Sequence, residues 1–105
     1  MLEVFREYLR TQGVQLLVVA LESGPKTFRQ LTEAGGFSAD YTKKIRDKMA
    51  AWGLINVTWI SGTTQQHELT ALGKRFLAYT YKQAELLEEG ARTAAKATRD
   101  DEKPL

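Results

Sequence analysis

Four cations, Lys43, Lys44, Arg46 and Lys48, stand close together in a segment that also carries Asp40 and Asp47. At helical spacing Lys43 and Lys44 share one face with both aspartates, and Arg46 and Lys48 fall on its flanks. Ammonium groups so placed neutralise phosphates, displace condensed counterions and can donate to guanine O6 and N7. The flanking Arg46 and Lys48 suit phosphate better than bases. Asp40 and Asp47 repel phosphate, but they can accept from cytosine N4 or pair within the helix, as in Asp40–Lys43 and Asp40–Lys44. Ser38 and Thr42 at the helix start add uncharged hydrogen-bonding groups, and Thr63, Thr64 and Gln65 do so further on. Lys26 and Arg29 lie at and just inside the start of an earlier helix, where free backbone N–H groups also suit a phosphate. The plain alternative for all of these charges is a solvated helix face. From Lys26 to Ile60 six basic residues stand against three acidic ones, whereas the whole chain carries only +2, so the excess is local to this segment.

Other chemistry finds little material. There is no nucleophile elbow, Gly-rich phosphate loop or metal-ligand spacing, and Glu88-Glu89 and Asp100-Asp101 read as adjacent surface acids, so an enzyme is not expected. With no cysteine and one histidine, disulfides, thiolate metal sites and histidine clusters are excluded, and no metal or cofactor is expected. His67 reads as a satisfied or exposed strand residue. Trp52 and Trp59 invite stacking on single strands, but core packing is the preferred reading for Trp52, and core or dimer packing for Trp59. No apolar run approaches the roughly 20 residues of a membrane span, and Leu16–Leu21 is too short and too far along the chain for a signal peptide. The expectation is a cytoplasmic protein, associated with the nucleoid, with no membrane partner.

The basic face belongs to a helix expected from Ser38 to Trp52, with Tyr41, Ile45, Met49 and Trp52 as its apolar stripe. Ser38 is placed to N-cap it and Gly53 to end it in the left-handed conformation. Leu54–Ile60 then reads as a strand, Ser61–Gln65 as a flexible tip without Lys or Arg, and Gln66–Thr70 as the returning strand. Along this first strand Ile55, Val57 and Trp59 share a face. Upstream, Leu2–Arg10 and Val14–Glu22 read as helices, with Gly13 a bend between them and Leu16–Leu21 the central core. Thr27-Phe28-Arg29-Gln30 matches a capping box, Thr at the N-cap and Gln at N3. Phe28, Leu31 and Ala34 are expected to face inward; Gly35-Gly36 permits a tight turn, and Phe37 plugs the core between the two motif helices.

GPKTFRQLTEAGGFSADYTKKI, then AAWGLI, a hairpin and HELTALGKRFL resemble, in order, the motif helices, turn, wing and "LT-x-x-G" segment of MarR-, PadR- and ArsR-type winged-helix proteins. The similarity covers about Gly13 to Leu77. It implies a mainly α fold with a small β-hairpin wing (α+β), that is, a winged helix-turn-helix, with residues 38–52 as recognition helix in the major groove and 54–70 as wing. Many wings of this type place an arginine in the minor groove, and this tip has none. The division expected is a DNA-binding domain over 1–70, a dimerisation helix over 71–98 and a disordered tail over 99–105.

Thr70 can cap the last helix, whose apolar stripe includes Leu72, Phe76, Tyr79, Leu87 and Ala91. Such a stripe is too long to bury against one small domain. A second copy, with Phe5 contributing, is the expected partner in a coiled-coil homodimer, in preference to folding back on the N-terminal helix. The implied function is a homodimeric, double-stranded-DNA-binding transcription regulator. Alternatives are a chromosomal architectural protein, similar to small archaeal winged-helix chromatin proteins with paired C-terminal helices, or a protein-interaction module. The resemblance leaves room for a small-molecule effector, which no residue identifies.

Overall fold

The structure, a computed structural model, describes residues 12–102, and the side chains of 12–97. The helix expected over Leu2–Arg10, with Phe5, lies outside the described residues. So do residues 103–105.

Helix α1 (Gly13–Ala20) buries Val14, Leu17 and Val18, and a 3-10 turn over Leu21–Ser23 buries Leu21. The α-helix expected to reach Glu22 therefore stops earlier. Pro25 follows closely, and Gly24 takes φ 132°, which no L-residue adopts easily. Gly13, where a bend is expected, lies at the border of the described residues. It is the first residue of α1, and a Cβ on it would press on Phe37 and Ile45.

Lys26–Thr27 forms β1, a strand that the sequence did not announce. Helix α2 (Phe28–Gly35) starts with the expected capping box: the Thr27 hydroxyl accepts from Gln30 N at 3.2 Å, and Gln30 Oε1 accepts from Thr27 N at 2.9 Å. Leu31 is its buried residue, whereas Ala34, expected inside, is exposed. Gly36, at φ 66°, ends α2, and Phe37 packs edge-on to Tyr41 with ring centroids 4.8 Å apart. Helix α3 (Ala39–Ala51) buries Thr42, Ile45 and Met49 against α1 and α2. Gly53, φ 74°, turns the chain out of it.

The hairpin comprises β2 (Ile55–Trp59) and β3 (Gln65–Leu69), antiparallel from Ile55 opposite Leu69 to Trp59 opposite Gln65. Strand β1 pairs with the other edge of β3, Lys26 opposite His67, giving sheet order β1-β3-β2. Helix α4 (Ala71–Glu102) has 32 residues, about 48 Å at 1.5 Å per residue. It extends past the expected end at Thr98, so most of the tail expected to be disordered is helical. Its first turns are fastened firmly. Thr70 Oγ1 accepts from Gly73 N at 2.9 Å and donates to the Gly53 carbonyl at 2.6 Å, and Thr70 N donates to Leu54 O at 3.0 Å. Gly73 is buried, and any Cβ there would run into the Leu54 carbonyl oxygen. Phe76 and Leu77 pack on the core, Gln15 Nε2 donates to Gln83 Oε1 at 2.8 Å, and the Tyr81 hydroxyl donates to Glu22. From Glu85 to Ala97 every residue of α4 is exposed.

Candidate nucleic-acid interface

Helix α3 turns its apolar stripe inward, and this alone decides which charges face out. Lys43, Lys44, Asp40 and Asp47 are exposed on the outer face. Among the described residues Asp40 forms no ion pair with Lys43 or Lys44, so both ammonium groups are available. Lys48 is half-buried at the edge.

Two residues of this set behave otherwise. Thr42 is fully buried and its hydroxyl donates to Ser38 O at 2.9 Å, so it cannot reach a ligand as expected. A threonine can sit inside because the i−4 carbonyl satisfies its hydroxyl. Arg46, by contrast, is engaged within the chain, its side chain only 15% exposed. Nη1 donates to Gln65 Oε1 at 3.0 Å, Nη2 and Nε donate to Asp47 Oδ1 at 3.1 and 3.2 Å, and the guanidinium lies 5.3 Å from the Phe28 ring centroid. Instead of reaching for phosphate, Arg46 ties α3 to the hairpin and to the start of α2.

The supporting residues are arranged around that clasp. Ser38 caps α3, its Oγ accepting from Tyr41 N at 3.2 Å. Arg29 is exposed and pairs with Glu33 at 3.2 Å, a solvated contact of small energetic worth. Lys26 is half-buried on β1. At the hairpin tip Thr63 is exposed, whereas Thr64 is half-buried, its carbonyl accepting from Ile60 N at 2.9 Å. The Ser61 hydroxyl accepts from Thr64 N at 3.2 Å and steadies the turn. Gln65 is engaged with Arg46.

His67 is fully buried on β3, in the same face of the strand as Gln65 and Leu69. Its Nδ1 donates to Lys26 O at 2.9 Å, while Nε2 has no hydrogen-bond partner among the described residues. Burial pushes its pKa below the ordinary histidine value; the bond to Lys26 O opposes this, and the Arg46 charge adds to the lowering. The alternation Gln65, His67, Leu69 was the signal for burial. Trp52 packs on the core as expected. Trp59 does not: it is 65% exposed, although Ile55 on the same face is buried.

Along α4, Leu72, Tyr79, Leu86, Leu87 and Ala91 are exposed. Phe76 is half-buried against the chain's own core, so this position of the expected seam serves within the chain. An apolar groove of about 730 Å³ runs between α1 and α4, with Leu16, Val19, Leu86 and Leu87 in its walls. Among the described residues no group of three or more His, Asp or Glu side chains could hold a metal ion, and no helix is long and apolar enough to cross a membrane.

No protein-family model and no curated protein matches this sequence. Solved structures do share its architecture. Sso10a-2, a DNA-binding protein from Sulfolobus solfataricus, aligns with a TM-score of 0.70 at 12% identity, over 89% of this chain and 96% of its own. BpsR of Bordetella bronchiseptica, whose DNA binding is regulated by 6-hydroxynicotinic acid, aligns at 0.67 and 12% identity over 94% and 87% of the two chains. The MarR family transcriptional regulator SPO1453 of Silicibacter pomeroyi aligns at 0.61 and 18% identity, over 86% and 68%. With its three-stranded sheet, its paired motif helices and its long final helix, the chain has the winged-helix fold of these DNA-binding proteins.

Proposed function

We propose that the protein is a homodimeric double-stranded-DNA-binding protein of the nucleoid, a transcription regulator that lays α3 in the major groove. The observation that carries this reading is the exposed Lys43–Lys44 pair on the outer face of α3, beside the wing, with neither ammonium paired to Asp40. The winged-helix neighbours Sso10a-2, BpsR and SPO1453 support it, because each binds DNA or is a transcriptional regulator. Lys26 and Arg29 on the support helix side and Thr63 at the tip supply further backbone contacts, and Asp40 and Asp47 give α3 a means of reading bases as well as phosphates. The apolar residues Leu72, Tyr79, Leu86 and Leu87, exposed on α4, are the surface through which two copies associate.

The test is the salt dependence of binding to a labelled duplex, read by fluorescence anisotropy. Each phosphate neutralised contributes about 0.9 to the slope of log K against log salt. Replacing Lys43 and Lys44 by Ala should flatten that slope by roughly 0.9 for every phosphate that the variant no longer neutralises. A slope unchanged by the double substitution removes α3 from the interface. A uniform loss of affinity across operators would favour an architectural coat over a regulator, since the lysines would then be contributing charge and no base readout.

A further inference from the structure

Trp59 is the large aromatic side chain that the fold leaves in the open at the wing, next to the also exposed Ile60. It ends β2 on the face whose earlier members, Ile55 and Val57, are covered by the core. Lys43 of α3 lies beside it, yet the residue stays 65% exposed. What lies beside it is a cleft of about 290 Å³ walled by Phe28, Lys43, Arg46, Trp59, Thr63 and Gln65. Three elements meet there: the start of α2, the outer edge of α3 and both strands of the wing.

The walls are unlike one another, and the contrast defines what fits. Phe28 and the Arg46 guanidinium form one stiff side, since Arg46 is held over the ring and by Gln65 and Asp47. Trp59 supplies a broad aromatic face. Lys43 and the Thr63 hydroxyl stand at the rim, exposed, where they can meet a phosphate. At about 290 Å³ the cleft falls just below the usual range of ligand pockets, roughly 300–1,000 Å³, with room for one planar group and not for a base pair. A planar heteroaromatic that arrives with an adjacent phosphate is an unpaired nucleotide. Stacking of bases on aromatic side chains, with cations tracking the backbone, is the chemistry by which proteins hold unstacked strands. The tip itself, Ser61 to Gln65, has no Lys or Arg.

We infer that the cleft between α3 and the wing receives one unpaired DNA nucleotide, its base stacked on Trp59 and its phosphate at Lys43, so that the protein prefers duplexes carrying an unpaired or extruded base. The cleft has this role only in a protein that binds duplex DNA as proposed above. Phe28 and Arg46 act as positioning residues, holding another wall of the same cleft.

The experiment titrates the full chain against three labelled probes: a perfect duplex, the same duplex with a single-nucleotide bulge, and a single-stranded RNA of the bulged strand's sequence. The wild type should bind the bulged duplex about tenfold more tightly than the perfect one, within the range of a single base–aromatic stack. Trp59→Ala should abolish the difference and leave perfect-duplex binding unchanged, while Trp59→Phe should retain much of it. Equal affinity of the wild type for both duplexes overturns the inference and leaves the duplex-binding reading intact. So does a bulge preference that survives Trp59→Ala. Tighter binding of the RNA than of either duplex overturns it in favour of an RNA site. Binding of no probe at low salt overturns both readings together.

Discussion

His67 and Arg46 show how little of a residue's role is contained in its type. Lone in the sequence and beside Glu68, His67 offers no cluster and no motif, yet it is a fully buried residue in the middle strand of the sheet. Its Nδ1–H holds β1 to β3, and its Nε2 carries no proton that the described residues could accept. Protonation would bury a charge facing Arg46, and for that reason the folded state resists it. The unfolded chain takes up the proton near pH 6.5 and the folded chain only at lower pH. Stability should therefore fall as pH drops below about 6.5 and go on falling until the folded pKa is passed. Melting curves across this range, for wild type and His67→Gln, test this: the variant should lack that part of the pH dependence. Identical pH slopes in the two proteins would mean that His67 is not the titrating group. Periodicity placed Lys43 and Lys44 outside correctly, because an amphipathic pattern needs only local spacing. The same pattern could not reveal that Arg46 would be drawn into a clasp with Gln65, nineteen residues on.

At the scale of elements, the parts encoded by short-range chemistry were legible and those created by pairing were not. Thr27 with Gln30, Ser38 and Gly53 act as caps within one turn of themselves, and each is found in that role. Strand β1 is two residues long and owes its extended state to β3, about forty residues away, so no run of β-formers announces it. Likewise, the alternation of β2 gives the face of Trp59 but not its 65% exposure. The joint at the start of α4 joins a sequence motif to a physical cause. In Leu69-Thr70-Ala71-Leu72-Gly73, Thr70 caps the helix while anchoring it to Gly53 O, and Gly73 lets the helix approach the backbone of Leu54. Gly73→Ala would gain helix propensity, yet it must displace a main-chain carbonyl. Overpacking of this kind costs about 1–3 kcal/mol, which outweighs a propensity gain of about 1 kcal/mol or less. A lower midpoint in urea, at unchanged m, is the expected result. A variant as stable as wild type would show that the joint is slack.

The whole molecule is long and narrow, 71 × 30 × 23 Å, because half of α4 leaves the domain. Leu87 is 74% exposed on that projecting half, next to Leu86 and the apolar groove of Leu16 and Val19. A single charge there should prevent association without touching the core. Leu87→Glu is expected to sediment as a monomer and to bind an operator duplex far more weakly than the wild type, since the second half-site no longer contributes. A wild-type protein that is itself monomeric would leave α4 without this role. The proposed association through α4 rests on a feature legible in the sequence, an apolar stripe exceeding what one small core can cover. The use of Phe76 inside the chain was not legible, because a stripe does not say where the domain ends.

The bond from Thr70 to Gly53 couples the end of α3 directly to the root of a rod about 48 Å long. In the dimer proposed above, the rods would act as the arms of a caliper and the α3 helices as its jaws. A change of about 5° between the arms would move points about 48 Å along them by about 4 Å, close to the rise of one base pair, about 3.4 Å. In that proposed dimer, the separation at which two half-sites can be gripped together would be set by how the two rods are held against each other. A ligand that wedges the arms apart needs no contact with DNA to change which spacing is accepted.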